Sequence, residues 1–374
     1  LTYTFEGYQR SDGTVGTRNH VGIVSSVICS SVVVREIAEH VPLAIPFVHA
    51  NGCAQLGDDF QLTKNILVGV TKNPNLYGSL IVGLGCETNQ VSGMLKSIPK
   101  TKPTKGIAIQ ELFGGKNTIS EGVKAAEQWA EEAASETRKT YPLSAINVGI
   151  MTVDPDESSL HQTAPVIGKV VDRLIDNDVN VIMGMSKTLE PAGQILSKRA
   201  PNPKVKQDLH TLSEGMRRGR WEKVQDKTTG LHEWSEEETD LANLEARLTG
   251  TKSIDGLLDY GSYPEEQGLN LMRVPSNIVE ALSGLASAGC AVVLMVSSRG
   301  VFTGSVALPS MTVAPQIEGD FEDELVDVAV TNNDADQQAD QVVQKIIDIC
   351  SGQESKLEEL ELGEFSISHS GTTY

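Results

Sequence analysis

Long apolar runs are missing from this sequence. No stretch approaches the roughly 20 residues that a bilayer-spanning helix needs, so a helical membrane anchor is not expected. The opening residues, LTYTFEGYQRSDG, carry neither the basic start nor the apolar middle of a secretory leader. Five cysteines in 374 residues are too few for a disulfide framework. In a chain expected to be cytoplasmic they read instead as buried thiols, metal ligands or nucleophiles. Positive charge is short as well: 31 Lys and Arg against 50 Asp and Glu give a formal net charge of −19. Such an acidic surface argues against nucleic acid and against a membrane as partners. Two phosphate-binding signatures are also absent. VGLGCETN (82–89) lacks the third glycine of a dinucleotide fingerprint and follows the third strand rather than the first, and there is no P-loop.

What is present is an alternation of apolar β-type runs with segments of helical spacing. The runs fall at His20–Cys29, Leu43–Ala50, Ser79–Cys86 and Gly106–Phe113, with helices expected over Ser31–His40, Leu56–Thr71 and Thr118–Arg138. A second series follows: Ile146–Val153, a helix over Pro165–Ile175, Asn180–Ser186, a polar helical insertion in 200–250, then Cys290–Ser298, Ser310–Pro315 and a helix over Asp336–Cys350. Val- and Ile-rich strands alternating with helices make βαβ units. Continuous rather than alternating apolarity says that both sheet faces are covered. The fold class is therefore α/β, with Rossmann-like parallel sheets covered by helices in two or three α/β domains, divided as 1–142, 143–250 and 251–374. The acidic tail from Ser351 is expected to wrap the surface.

Ligands of open parallel sheets bind beyond the carboxyl ends of the strands. Cys29, Cys53 and Cys86 fall at such ends, each beside small residues that allow close backbone approach. Three thiolates at one locus fit a soft metal or an iron–sulfur centre, although a single free cysteine is more often a small buried hydrophobe. His49 reads as a metal ligand, as a general base, or as a hydrogen-bonded residue fixing its loop. Glu87 and Glu111 place carboxylates near the mouth of the same locus. Arg10, Arg18 and Asn19 offer planar donors suited to a carboxylate, and Arg299, in SSRGVFTGS, is a second candidate for contacting an anion.

GYQRSDGTVGTRNHV, HANGCAQ, NPNLYGSLIVGLGCE and, later, SSRGVFTGSVALPSMTVA and SGQESKLEELELGEF resemble the large catalytic region of the altronate/galactarate dehydratase family. The resemblance implies an iron-dependent lyase that eliminates water from a sugar acid to give a 2-keto-3-deoxy acid. Iron would be held by Cys29, Cys53 and Cys86, as Fe2+ or as a cluster. His49 or Glu87 would exchange protons, and Arg10, Arg18 and Arg299 would pair with the carboxylate of a small anionic hydroxy acid. It further implies a separate small subunit of the SAF type and an oligomeric assembly. Two alternatives accompany it: a sulfolactate sulfo-lyase subunit that releases sulfite and pyruvate, and a non-catalytic binding or assembly subunit of the same fold. Where the family carries a Cys-Gly-Gly-Ser-Asp run, this sequence has TVDPDESSLHQTAPVIG (152–168), in which only APVIG resembles it.

Overall fold

The computed structural model describes residues 2–53, 55–214, 234–316, 324–331 and 334–369. Two parallel sheets organise the chain. The first has four strands in the order Ala44–Phe47, His20–Ser25, Leu76–Gly83, Thr104–Ala108. Successive residues point to opposite faces. Ile23 and Leu80 join Ile37 and Ala126 of the helices Ser31–His40 and Gly115–Ser135 on one side. Val24 and Ile81 join Ile66 and Leu67 of the helix Gly57–Thr71 on the other.

The second sheet has seven strands in the order Gly256–Leu258, Leu269–Arg273, Asn180–Met185, Asn147–Thr152, Cys290–Val296, Ser310–Pro315, Val328–Val330. All of its pairings are parallel. Strands from 143–250 and from 251–374 are hydrogen-bonded side by side, so the expected division at 250/251 does not exist. The apolar runs on either side of the helical insertion complete one sheet. One face packs on the helices Glu157–Asp176 and Ala335–Cys350. The other shares a core with the first sheet, where the helix Ile278–Ser287 lies against Gly57–Thr71. Truncating a side chain in that shared layer, such as Leu285 (fully buried), costs about 2–5 kcal/mol by the usual large-to-small scale.

Several expected bounds shift for local reasons. The helix Glu157–Asp176 starts well before Pro165, because Asp156 and Ser159 form a reciprocal capping box at its true N-terminus. The fourth strand stops at Ala108, and 109–113 form a turn. A three-stranded antiparallel sheet, with Thr4–Gln9 between Val15–Gly16 and Lys139–Pro142, was not expected. Of the expected insertion, the helices Pro203–Ser213 and Glu236–Glu245 are described and 215–233 lie outside the described residues. The tail does more than cover the surface: Phe365 and Ile367 are buried in the shared core. Among the described residues no helix is long and apolar enough to cross a membrane.

Candidate active site

In chain order the first sheet runs second, first, third, fourth, so its topological switch point lies between His20–Ser25 and Leu76–Gly83, where such sheets bind ligands. The chain leaves the first of these strands through Ser26 and Val27 into a short 3-10 turn, Ile28–Ser30. Hydroxyls fold this turn tightly: Ser25 Oγ donates to the Val27 carbonyl (2.6 Å), and Ser30 Oγ to the Val82 carbonyl (2.8 Å). Ser26 Oγ donates across the switch point to Glu87 Oε1 (2.8 Å), and the Gly85 amide donates to Glu87 Oε2 (2.6 Å). Glu87, 4% exposed, is thus held by one donor from each side of the crevice.

A third loop closes on the same point. Gly52 has φ +103°, and a Cβ there would meet the Ser26 carbonyl at 2.7 Å, so glycine is required on both conformational and steric grounds. The Ile28 amide donates to the Asn51 carbonyl (3.0 Å). Cys29, Cys53 and Cys86 therefore sit on three loops that meet around Ser26. They lie beyond the strand ends rather than on them, and all three are exposed, whereas Cys290 and Cys350 are buried. Burial pushes the Cys290 and Cys350 thiols up, the behaviour of inert core cysteines. The reading of the first three as small core hydrophobes is thereby excluded.

The donor chemistry of three accessible thiols on touching loops fits a soft metal. Their side chains are nevertheless presented singly: among the described residues no group of three or more His, Cys, Asp or Glu is gathered to hold an ion.

The other expected site residues separate into distinct roles. His49 Nδ1 accepts from the Asn51 amide (3.1 Å), which leaves the proton on Nε2 to be donated to the Ser25 carbonyl (2.9 Å). Both ring nitrogens are used, and burial pushes the imidazole down to about 4. His49 fixes the loop as a neutral ring, which corrects its reading as a proton carrier or ligand. Glu111 is exposed in the turn after the fourth strand. Arg18 spends all five N–H groups inside the fold, on the carboxylate of Glu358 (2.8 Å to each oxygen) and the carbonyls of Thr17, Ile349 and Gln353 (2.9 Å each). Arg10 donates to the carbonyls of Pro74 and Arg18, to Asn19 Oδ1 and to Glu136, while Asn19 Nδ2 donates to the Ala133 carbonyl. These three residues bolt the segment before the first strand to the rest of the chain, and none presents a free fork to a substrate.

Arg299 is exposed on the loop after Cys290–Val296, at the switch point of the second sheet. Asp154 closes that crevice. It accepts from Ser297 Oγ (2.8 Å), from the Ser298 amide (2.9 Å) and from Ser298 Oγ (2.5 Å). Close by, Glu245 is buried and accepts from the hydroxyls of Thr152 and Thr188; burial pushes its carboxyl up. Ser26, Asn51, Asp154 and Glu245 were not singled out from the sequence. For Ser26 a signal existed, since a Ser-Ser pair ending an apolar strand leaves hydroxyls at the ligand-binding edge.

Residues 7–134 match the family model described as D-galactarate dehydratase/Altronate hydrolase, second domain, and residues 143–373 match D-galactarate/Altronate dehydratase, C-terminal. The chain is 28% identical to an altronate dehydratase of Bacillus subtilis, over 84% of this chain and 66% of that protein. It is 26% identical to the altronate dehydratase of Escherichia coli, over 83% and 66%. With the (2R)-sulfolactate sulfo-lyase subunit beta of Chromohalobacter salexigens it shares 25% identity, over 82% of this chain and 80% of that one. The chain thus spans just under two thirds of the altronate dehydratases that it matches. With the two models together accounting for both parallel sheets, the chain belongs to the D-galactarate/altronate dehydratase family.

Proposed function

We propose that this chain is the large catalytic part of an iron-dependent hydro-lyase that removes water from a sugar acid to give a 2-keto-3-deoxy acid. The observation that carries the reading is the meeting of three loops, each bearing one exposed cysteine, around the Ser26–Glu87 contact at a topological switch point. Cys29, Cys53 and Cys86 are the residues that would hold the iron, and iron bound there supplies Lewis-acid polarisation of carboxylate and hydroxyl oxygens. The chain's own part is positioning and proton transfer. Glu87 is fixed by Ser26 and Gly85 and keeps further lone pairs free, so it can take the weakly acidic C2 proton of a 2-hydroxy acid. The neutral His49 ring and Gly52 hold the Cys53 loop in register with the Ser26 turn. Arg299 is assigned as the cation for the substrate carboxylate; of the four planar donors read from the sequence, its side chain is the one that no acceptor among the described residues takes up.

A separate small SAF-type partner, an oligomeric assembly and a cytoplasmic location belong to the same proposal. A matched relative that is itself named as a subunit supports the partner. A second reading, release of sulfite from sulfolactate, is favoured by the longer coverage of that relative. Assaying altronate, galactarate and sulfolactate side by side, with keto-acid and free-sulfite detection, separates the two. Turnover of none of the three would reject both.

A further inference from the structure

The switch point of the second sheet lies between Asn147–Thr152 and Cys290–Val296, and the side chain that spans it is that of Asp154. Pairing of the two strands runs on past Thr152, where the Val153 amide donates to the Val296 carbonyl (3.0 Å). Ser297 is anchored on its other side, its amide donating to the Val313 carbonyl (3.0 Å). From that base the chain turns through Ser298, Arg299 and Gly300. Gly300 has φ +95°, and a Cβ there would meet Leu325 Cβ at 3.1 Å, so the turn is left-handed and closely packed.

One hydroxyl folds this turn, and one carboxylate orients the hydroxyl. Ser297 Oγ, on a residue 2% exposed, accepts from the amides of Gly300 (3.0 Å) and Arg299 (3.3 Å). A hydroxyl has one proton and two lone pairs, whereas an ionised carboxylate only accepts. Asp154 Oδ1, at 2.8 Å, takes the Ser297 proton and so leaves both lone pairs to the two amides. The competing Gly300 carbonyl is further off, at 3.2 Å. Asp154 also accepts from the Ser298 amide and hydroxyl, which fixes the residue before Arg299. The Arg299 backbone is thus clamped on both sides while its side chain stays exposed. Asp154 belongs to TVDPDESS, where this chain departs from the family's run, so the resemblance assigns it no role.

We infer that Asp154 is a positioning residue for Arg299: it sets the loop that presents the guanidinium to the substrate carboxylate, and it acts by accepting hydrogen bonds. The inference rests on the proposed function, in which Arg299 meets that carboxylate. Sugar acids and sulfolactate both carry one, so the role is the same for either leaving group. Without Asp154 the Ser297 proton turns to the Gly300 carbonyl and Ser298 is released. A long exposed side chain then loses its preset direction, and binding must supply the lost order.

The test is steady-state kinetics of the full chain, loaded anaerobically with ferrous iron, on altronate, galactarate and sulfolactate. Arg299→Ala and Asp154→Ala are each expected to raise KM about tenfold with kcat within about threefold, the mark of lost binding common to ground and transition states. The double variant should be no worse than Arg299→Ala alone, because one residue acts through the other. Asp154→Asn keeps an acceptor oxygen for Ser297 and the Ser298 amide, and should restore KM to within about threefold of wild type. Ser297→Ala leaves Asp154 in place and should raise KM by a few fold; it carries the test if Asp154→Ala does not fold. Multiplying KM effects in the double variant would make Asp154 an independent contact and overturn the inference. A KM in Asp154→Asn as high as in Asp154→Ala would do the same, by assigning the effect to charge. A lowered melting temperature with unchanged KM in Asp154→Ala and Ser297→Ala would reduce Asp154 to a structural carboxylate. An unchanged KM in Arg299→Ala overturns the inference while the dehydratase reading stands. Turnover of sulfolactate alone, with the expected KM pattern, overturns sugar-acid dehydration and keeps Asp154 in its role. A wild type that turns over none of the three overturns the proposed function and the inference with it.

Discussion

Asn51 Nδ2 donates to the carbonyl of Ile367 at 2.7 Å, tying the loop that carries Cys53 to a segment 316 residues further along the chain. Phe365, two residues earlier, stands edge-on to Phe47 with ring centroids 5.3 Å apart, and also faces His49. The end of the chain thus braces one of the three cysteine loops. Asn51→Ala is expected to cost about 1 kcal/mol of stability, the ordinary worth of a neutral hydrogen bond. It should also raise the alkylation rate of Cys53 several-fold while Cys29 and Cys86 change little. Mass-spectrometric mapping of alkylated thiols over time measures this, and parallel rises at all three would show that the brace is not local.

Arg18 provides a test of structural against substrate-binding roles. Its bidentate pair with Glu358 and its three carbonyl contacts are nearly buried. Arg18→Ala leaves those acceptors unpaired and is expected to destabilise by about 3–5 kcal/mol in urea unfolding. The KM of the folded fraction should stay unchanged. A raised KM with normal stability would return Arg18 to the substrate.

His49 sets a pH dependence. Its folded value of about 4 lies below the ordinary histidine value of 6.5. Between these values the unfolded chain binds the proton and the folded chain does not, so stability falls as pH drops from 6.5 towards 4. The contribution is on the order of 3 kcal/mol at most. His20, also pushed down to about 4, adds a component of the same sign. His49→Gln is expected to flatten part of the acid-side decline in melting temperature. An unchanged pH profile in that variant would contradict the buried, neutral ring.

Glu245 has the opposite sign. Its folded value is raised by burial, so the cost of ionising it is present at neutral pH and disappears as pH falls through the carboxylate range. Glu245→Gln is expected to be at least as stable as wild type at pH 8, with the gap closing towards pH 4. Thermal melts across that range decide it, and a large loss at pH 8 would indicate that the charge itself is required.

The first sheet and its helices were largely legible because their signals are local. Ser31–His40 has the same bounds in sequence and structure, and Ser310–Pro315 likewise. What escaped depends on distant partners. Thr4–Gln9 is interrupted by Gly7 and becomes a strand by pairing with Lys139–Pro142, more than a hundred residues away. The unity of the seven-stranded sheet was hidden by the polar segment that separates its strands in sequence. In the site, the cysteine loops could be read from strand ends and glycines. The fates of Arg10 and Arg18 could not, since their acceptors are backbone carbonyls together with Glu136 and Glu358, which lie more than a hundred residues away in sequence.

The claim that most needs testing is that Cys29, Cys53 and Cys86 act together as a metal site. Iron and acid-labile sulfide analysis after anaerobic preparation, on the wild type and on each single Cys→Ser variant, addresses it directly. The account predicts stoichiometric iron in the wild type, its loss in Cys29→Ser, Cys53→Ser and Cys86→Ser, and full retention in Cys290→Ser, with all variants folded. Full iron and full activity in Cys86→Ser would contradict it.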